Sequence, residues 1–291
     1  MRFDDRVAVV TGAGRGLGRA HARLLAERGA AVVVNDVGST VDGRGAERSP
    51  AQDVVDEITA AGGRAVASTA SVTTEPEAIV AAAVEAFGRL DIVVNNAGIE
   101  RPQEFGDTTM ADFRDHFDVH LFGTVGVTRA AWPHLVASGA GRVVNTTSAT
   151  VFGLANRTHY GAAKAAILGF TRSLAVDGER YGVKANCVAP GAGTRMSDAN
   201  EIPEATKAFL REHMPPELVA PVVVYLAHVD CALTGETLMA AGGKVNRMVL
   251  AQNDGITDTA LLPETVAEQL ATILDGGPLQ VVDRVQLPKG N

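Results

Sequence analysis

The sequence predicts an α/β protein built as a doubly wound, parallel sheet with helices on both faces. Three observations carry that prediction. Short β-branched runs alternate along the chain with longer Ala- and Leu-rich segments. The runs are apolar throughout rather than at every second residue, as strands buried on both faces require. The first run ends in a glycine-rich turn that leads into a helical pattern, the arrangement of a βα nucleotide unit.

In chain order the expected strands are RVAVVTG (6–12), AVVVND (31–36), RAVASTA (64–70), DIVVNNAG (91–98), GRVVNTTS (141–148) and VKANCVAP (183–190). The segments between them carry helix signals. Gly29 stops the first after LLAER, and Pro50 can open the first turn of the second. Residues 37–49 are too Gly-rich and polar for either element and are expected to form a loop. No linker rich in Pro, Ser or charge divides residues 1–245, which are read as one domain. Residues 246–291 form a C-terminal extension, an apolar run (MVLAQ) followed by a Pro-led helix (LLPETVAEQLATIL). It would pack on the same domain or at a dimer interface.

Composition narrows the function classes. A hydrophobic content of 46% with 21% charged residues is globular, and aromatics at 4% are too sparse for a base-stacking surface. The net charge of −8 opposes binding to nucleic acid, which needs a basic face. No apolar run approaches the roughly 20 residues of a membrane span, and MRFDDRVAVVTG lacks a signal-peptide pattern. The two cysteines, Cys187 and Cys231, form no CxxC. A reduced, cytoplasmic protein is therefore expected.

The turn TGAGRGLG places Gly12, Gly16 and Gly18 between a strand and a helix, where the backbone must turn sharply and approach a pyrophosphate at the helix N-terminus. Arg15 and Leu17 lie inside the same turn. Asp36 ends the second strand, where a carboxylate accepts ribose hydroxyls and repels a 2′-phosphate. Arg15 could instead pair with such a phosphate. Asp36 would occupy the phosphate's place, so NAD is expected ahead of NADP. His116 and His120, four residues apart, share a helix face. No third ligand follows at a suitable spacing, so no metal is expected.

The stretch NTTSATVFGLANRTHYGAAK holds Ser148 after a strand and the pair Tyr160 and Lys164 on one helix face. A phenol has an ordinary pKa of about 10, and a nearby ammonium favours its ionised form. Tyr160 could then exchange a proton with a substrate oxygen that Ser148 holds in place. NNAG (95–98) and PGAGT (190–194) are further turns at the carboxyl ends of strands, where ligands of open sheets bind.

TGxxxGxG, NNAG, a serine 12 residues before YxxxK, and PG after the sixth strand together resemble the short-chain dehydrogenase/reductase family over about residues 5–245. The resemblance implies a Rossmann-type sheet of about seven strands. It implies Ser148, Tyr160 and Lys164 as the catalytic set, with Lys164 also on the nicotinamide ribose. Cofactor contacts are implied for Gly12, Arg15, Gly16, Leu17, Gly18, Asp36, Ser71, Val72, Asn95, Ala97, Gly98, Tyr160, Lys164, Pro190, Gly191 and Thr194.

Two departures stand out. The family's usual aspartate after the third strand is missing; Ala70 and Ser71 occupy that stretch. His120 replaces the family's usual asparagine at a proton-relay position whose backbone carbonyl matters most. VVVNDVG, TRAAWPHL, APGAGTRM, PELVAPVVVYLAH and the VHL histidine are similar to one branch, the (3R)-hydroxyacyl-CoA dehydrogenase unit of peroxisomal multifunctional enzyme type 2 and its bacterial relatives. That branch implies an acyl-CoA substrate and a homodimer. Arg195, Lys207, Arg211 and His213 could meet CoA phosphates or form a solvated lid helix. Phe152, Leu154, Met196 and Phe209 would suit an acyl chain or a steroid, so hydroxysteroid dehydrogenase and 3-oxoacyl-thioester reductase stay open. An NAD-binding protein without turnover is the remaining alternative.

Overall fold

The computed structural model describes residues 1–40, 50–194 and 203–283. It divides into two compact units, Met1–Arg247 and Met248–Asn291.

The six expected strand runs become β1 (Val7–Thr11), β2 (Ala31–Asn35), β3 (Arg64–Ser68), β4 (Ile92–Asn95), β5 (Arg142–Thr146) and β6 (Lys184–Gly191). With β7 (Thr237–Ala241) and β8 (Lys244–Met248) they form one sheet in the order β3-β2-β1-β4-β5-β6-β7-β8. The pairings from β3 through β7 are all parallel. The eighth strand exceeds the seven expected. It returns from β7 across Gly242 and Gly243, whose φ angles of 53° and 79° suit the two-residue hairpin turn that needs positive φ at both centres.

Side chains alternate across the sheet with period two and feed separate cores. Val10, Val32, Val34, Val94 and Val144 face one layer with Leu25 of α1 (Gly16–Glu27) and Val54 and Ile58 of α2 (Pro50–Ala60). Val9, Val33, Val93 and Val143 face the other, against Ile79 of α3 (Pro76–Phe87) and Val127 and Leu135 of α5 (Gly123–Ala137). These strands are continuously apolar because both of their faces are buried.

Strand order reverses at β1, with β2 on one side and β4 on the other. The turns after β1 and β4 therefore diverge and open a crevice at the carboxyl ends of the strands. A π-turn at Asp118–Phe122 joins α4 (Met110–Phe117) to α5 and carries His120. Such insertions re-aim side chains and often sit at functional sites. Helix α6 (Thr158–Gly178) carries Tyr160 and Lys164 on its buried face.

In the second unit, β9 (Ala251–Gln252) pairs antiparallel with β10 (Gln280–Val281). The Pro-led segment forms two short helices, Pro263–Glu268 and Leu270–Asp275, rather than the single helix expected. Val249 and Leu250 stand between β8 and β9, so the apolar run MVLAQ is not one strand. Among the described residues no helix is long and apolar enough to cross a membrane.

Candidate active site

A cavity of about 560 Å³ occupies the crevice. Its floor begins at the turn after β1. Gly12 and Gly16 have φ of +60° and +53°, a backbone region that L side chains rarely adopt. A Cβ at Gly18 would lie 2.2 Å from the Gly12 carbonyl oxygen, so Gly18 lets α1 pack against the turn and does not itself line the cavity. No side chain caps the N-terminus of α1 at Arg15, and the first turn carries no acidic residue. A helix N-terminus in that state favours an anion.

Asp36 lines the same cavity. Its Oδ2 accepts from the Gly14 N–H at 3.0 Å, and its Oδ1 accepts from the Gly38 N–H at 2.8 Å. A Cβ at Gly14 would come within 2.9 Å of Asp36 Oδ2 and 2.8 Å of Pro50. Gly14 is thus a site residue that the G-x-x-x-G-x-G spacing left out; its signal was only one more glycine in a glycine-rich turn. The two N–H bonds leave the carboxylate acceptor capacity for ribose hydroxyls. Positive-φ glycines, no room for a Cβ at Gly14 or Gly18, and an uncapped helix start form a cradle that fits a nicotinamide dinucleotide.

The turn after β4 is tied to the turn after β1. Thr11 Oγ1 accepts from the Asn96 and Ala97 N–H groups, while Asn96 Nδ2 donates to the Thr11 and Gly12 carbonyls at 3.0 Å each. Thr11 and Asn96 are therefore part of the site's frame; both stand inside motifs read from the sequence, TGxxxGxG and NNAG, but their bonds to each other were not legible there. Asn95 lies beneath the cavity, its Nδ2 donating to Thr128 Oγ1 at 2.9 Å and Asn145 Oδ1 at 2.8 Å. Ala97, Gly98, Ser71 and Val72 do line the cavity, with Leu17 and Arg15. Pro190 and Gly191 close it from β6, and Thr194 Cγ2 approaches the open side of Gly16.

Ser148, Tyr160, Lys164 and His120 converge on the same cavity. Lys164 Nζ donates to the Thr146 carbonyl at 2.8 Å and lies 5.6 Å from the Tyr160 ring centroid. Burial lowers the Lys164 pKa to about 8. The Tyr160 phenol moves the opposite way from the lowering expected of a neighbouring ammonium. Burial, then the Glu100 carboxylate, raise its pKa, while its hydrogen bond with Ser148 and the Arg157 charge oppose the rise. Removing a phenolate from water outweighs the single cation expected from the YxxxK spacing.

His120 is buried in full view of this set. Its Nε2 lies 2.8 Å from the Ile99 carbonyl, and its ring meets the Tyr160 ring edge-on at 5.2 Å. A Cβ at Gly98 would sit 2.5 Å from His120 Cε1, so the ring itself shapes the turn after β4. His116 stacks on His120 at 6.0 Å and packs against His159 at 4.1 Å. The HxxxH pair is part of a buried aromatic support under Tyr160, completed by His159, which spacing did not single out.

The helix Glu204–His213 contributes Leu210, with Met214 following, to the cavity wall. Gly193 N–H donates to the Met214 carbonyl at 2.8 Å, and a Cβ there would meet Leu210 at 2.6 Å. Lys207, Arg211, His213, Phe209, Phe152 and Leu154 do not line the cavity. On that helix Leu210 is half-buried against the cavity while Phe209, Arg211 and His213 are exposed, and Phe152 and Leu154, which precede α6, are exposed as well. Arg195 and Met196 lie outside the described residues.

The short chain dehydrogenase family model matches residues 6–204. The chain belongs to the short-chain dehydrogenase/reductase family. This short-chain dehydrogenase is 40% identical to the peroxisomal multifunctional enzyme type 2 of Mus musculus over 94% of its own length, which is 37% of the mouse protein. It is 38% identical to the hydroxy(phenyl)methylsuccinyl-CoA dehydrogenase subunit BbsD of Thauera aromatica, covering 84% of this chain and 98% of that one. A crystal structure of a short chain dehydrogenase from Mycobacterium avium superposes with a TM-score of 0.81 at 38% identity, covering 94% and 96% of the two chains. The short-chain dehydrogenase is thus an oxidoreductase acting on a CH–OH group.

Proposed function

We propose that this enzyme interconverts a (3R)-hydroxyacyl-CoA and the 3-oxoacyl-CoA with NAD. The observation that carries the reading is the convergence of Ser148, Tyr160 and Lys164 with Asp36 in one cavity. When bound, the nicotinamide ring supplies a hydride acceptor or donor.

In the oxidative direction the carbinol carbon loses a hydride and its oxygen loses a proton. Ser148 holds the oxygen, and Tyr160 takes the proton. Lys164, anchored on the Thr146 carbonyl, supplies a positive charge beside the ring. His120 and His116 hold the Tyr160 ring in position from one side. Asp36, pinned by the Gly14 and Gly38 amides, would receive the adenosine ribose and repel a 2′-phosphate.

The acyl-CoA assignment draws on the relative from Thauera aromatica, whose name states a CoA thioester, and on the branch resemblance of the sequence. The Ile99, Val119, Leu210 and Met214 side chains give the cavity an apolar wall suited to an acyl chain. A panel of (3R)- and (3S)-hydroxyacyl-CoA esters and hydroxysteroids, followed by NADH absorbance, tests the reading. The (3R)-thioesters are expected to be fastest; a hydroxysteroid oxidised faster would overturn it, and no reduction across the panel would favour a binding protein. The same branch resemblance carries a homodimer, which sedimentation would refute by finding a monomer.

A further inference from the structure

The segment after β4 is fastened to the start of α6 at three points. The Arg101 carbonyl lies 2.9 Å from His159 Nε2, and Gln103 N–H donates to the Asn156 carbonyl at 3.0 Å. Between them Arg157 Nε donates to the Glu100 carboxylate. That ion pair is largely sequestered, with side chains 11% and 9% exposed. Glu100 lines the cavity that holds Tyr160, and Arg157 caps the helix three residues before Tyr160.

We propose that Glu100 and Arg157 form a charge pair that tunes the proton affinity of the buried Tyr160, and so the pH at which the enzyme can take the substrate's hydroxyl proton. Both are positioning residues, acting through Tyr160, and the proposal rests on Tyr160 as the proton-transfer group. Tyr160 is faced by His116 from α4, His120 from the π-turn, Ser148 after β5 and Lys164 from its own helix, and His159, its neighbour in the chain, packs on His116. Burial keeps His116 down to about 4 and His120 well below its ordinary range, so both are neutral near pH 7. To the Lys164 charge the Glu100–Arg157 ion pair adds two opposed ones. Lys164 stays in place on the Thr146 carbonyl, so the pair is the part of this charge set that can be varied separately. Glu100 disfavours the phenolate and Arg157 favours it, with Glu100 the stronger.

The opposed signs make the test specific. The reading is the pH profile of kcat/KM for oxidation of (3R)-3-hydroxybutyryl-CoA at saturating NAD, from about pH 6 to about pH 10. Glu100→Gln leaves Arg157 facing Tyr160 and should move the alkaline-rising limb down by at least about 0.5 pH unit. Arg157→Gln should move it up by a similar amount, and the double variant should return it close to wild type. The exchanged pair, Glu100→Arg with Arg157→Glu, keeps an ion pair across the same gap. It should shift the limb acidward even where a single variant folds poorly. Without cofactor or substrate, the phenolate absorbance removed by Tyr160→Phe should appear at lower pH in E100Q than in R157Q. Shifts in the same direction, or none, with Tyr160→Phe inactive would overturn the charge pair alone. Full turnover in Tyr160→Phe would overturn the Tyr160 assignment and the pair with it.

Discussion

Gly98 and His120 interlock, and adding one methyl group there should be expensive only while the imidazole is present. A Cβ on Gly98 would stand 2.5 Å from His120 Cε1 and 3.1 Å from Nδ1. Carbon atoms prefer about 3.5–4.0 Å, so the ring would have to retreat by about 1 Å. Its neighbours oppose that retreat. Its Nε2 lies 2.8 Å from the Ile99 carbonyl, the Tyr160 ring meets it at 5.2 Å, and His116 stacks on it at 6.0 Å. The Gly98 backbone lies outside the left-handed region, so the cost is steric. Overpacking of this kind costs about 1–3 kcal/mol. His120→Asn, which restores the family's usual residue, should cost about 1 kcal/mol through the Ile99 hydrogen bond while opening space for the methyl. Gly98→Ala should then cost less than about 0.5 kcal/mol in that background, a coupling of about 1–2 kcal/mol. Urea unfolding of the four proteins, with a shared m-value, measures it. An equal cost of Gly98→Ala in both backgrounds would refute the interlock. His120→Asn should keep most of kcat, because the family relay uses the backbone carbonyl; a collapse would give the imidazole a chemical part.

Three further outcomes are expected. Tyr160→Phe should lower kcat by about 10²–10⁴-fold while NAD still binds by calorimetry; comparable turnover would contradict proton transfer at Tyr160. The wild-type enzyme should prefer NAD to NADP by at least about tenfold in kcat/KM, equivalent to about 1.4 kcal/mol, because Asp36 is fixed by the Gly14 and Gly38 amides where the proposed reading puts the adenosine ribose; equal values would contradict that reading. His21 is fully buried with neither ring nitrogen partnered, and burial pushes its pKa down to about 3. The unfolded chain, with an ordinary histidine near 6.5, binds the proton first, so stability is full above about pH 6.5 and falls as pH drops toward 3. His21→Leu should flatten the acid limb of the denaturant midpoint, and an unchanged slope would assign the acid loss elsewhere.

Much of the fold was legible because burial leaves a local trace. Six both-faces-apolar runs marked β1 to β6, and the glycine turn marked the start of α1. β7 and β8 were not read as runs, since TLMAA and KVNRM are only partly buried or exposed and mix polar with apolar residues. Among the candidate site residues, Ser148, Tyr160 and Lys164 were readable from their spacing on and before one helix. Gly18 and Asn95 belong to the same motifs, yet they support the cavity from beneath rather than line it.

By itself the sequence determined the alternating βα order, the glycine turn, the serine–tyrosine–lysine spacing and the acidic end of β2. Each depends on residues within one element or its adjoining turn. Only the tertiary structure decided that Gly14 pins Asp36, that His120 fills the space over Gly98, and that Glu100 meets Arg157 beside Tyr160. Those pairs lie 22, 22 and 57 positions apart. The reversal of strand order at β1 and the packing of α4 and α6 bring them together, and short-range periodicity carries no record of which distant segments will meet.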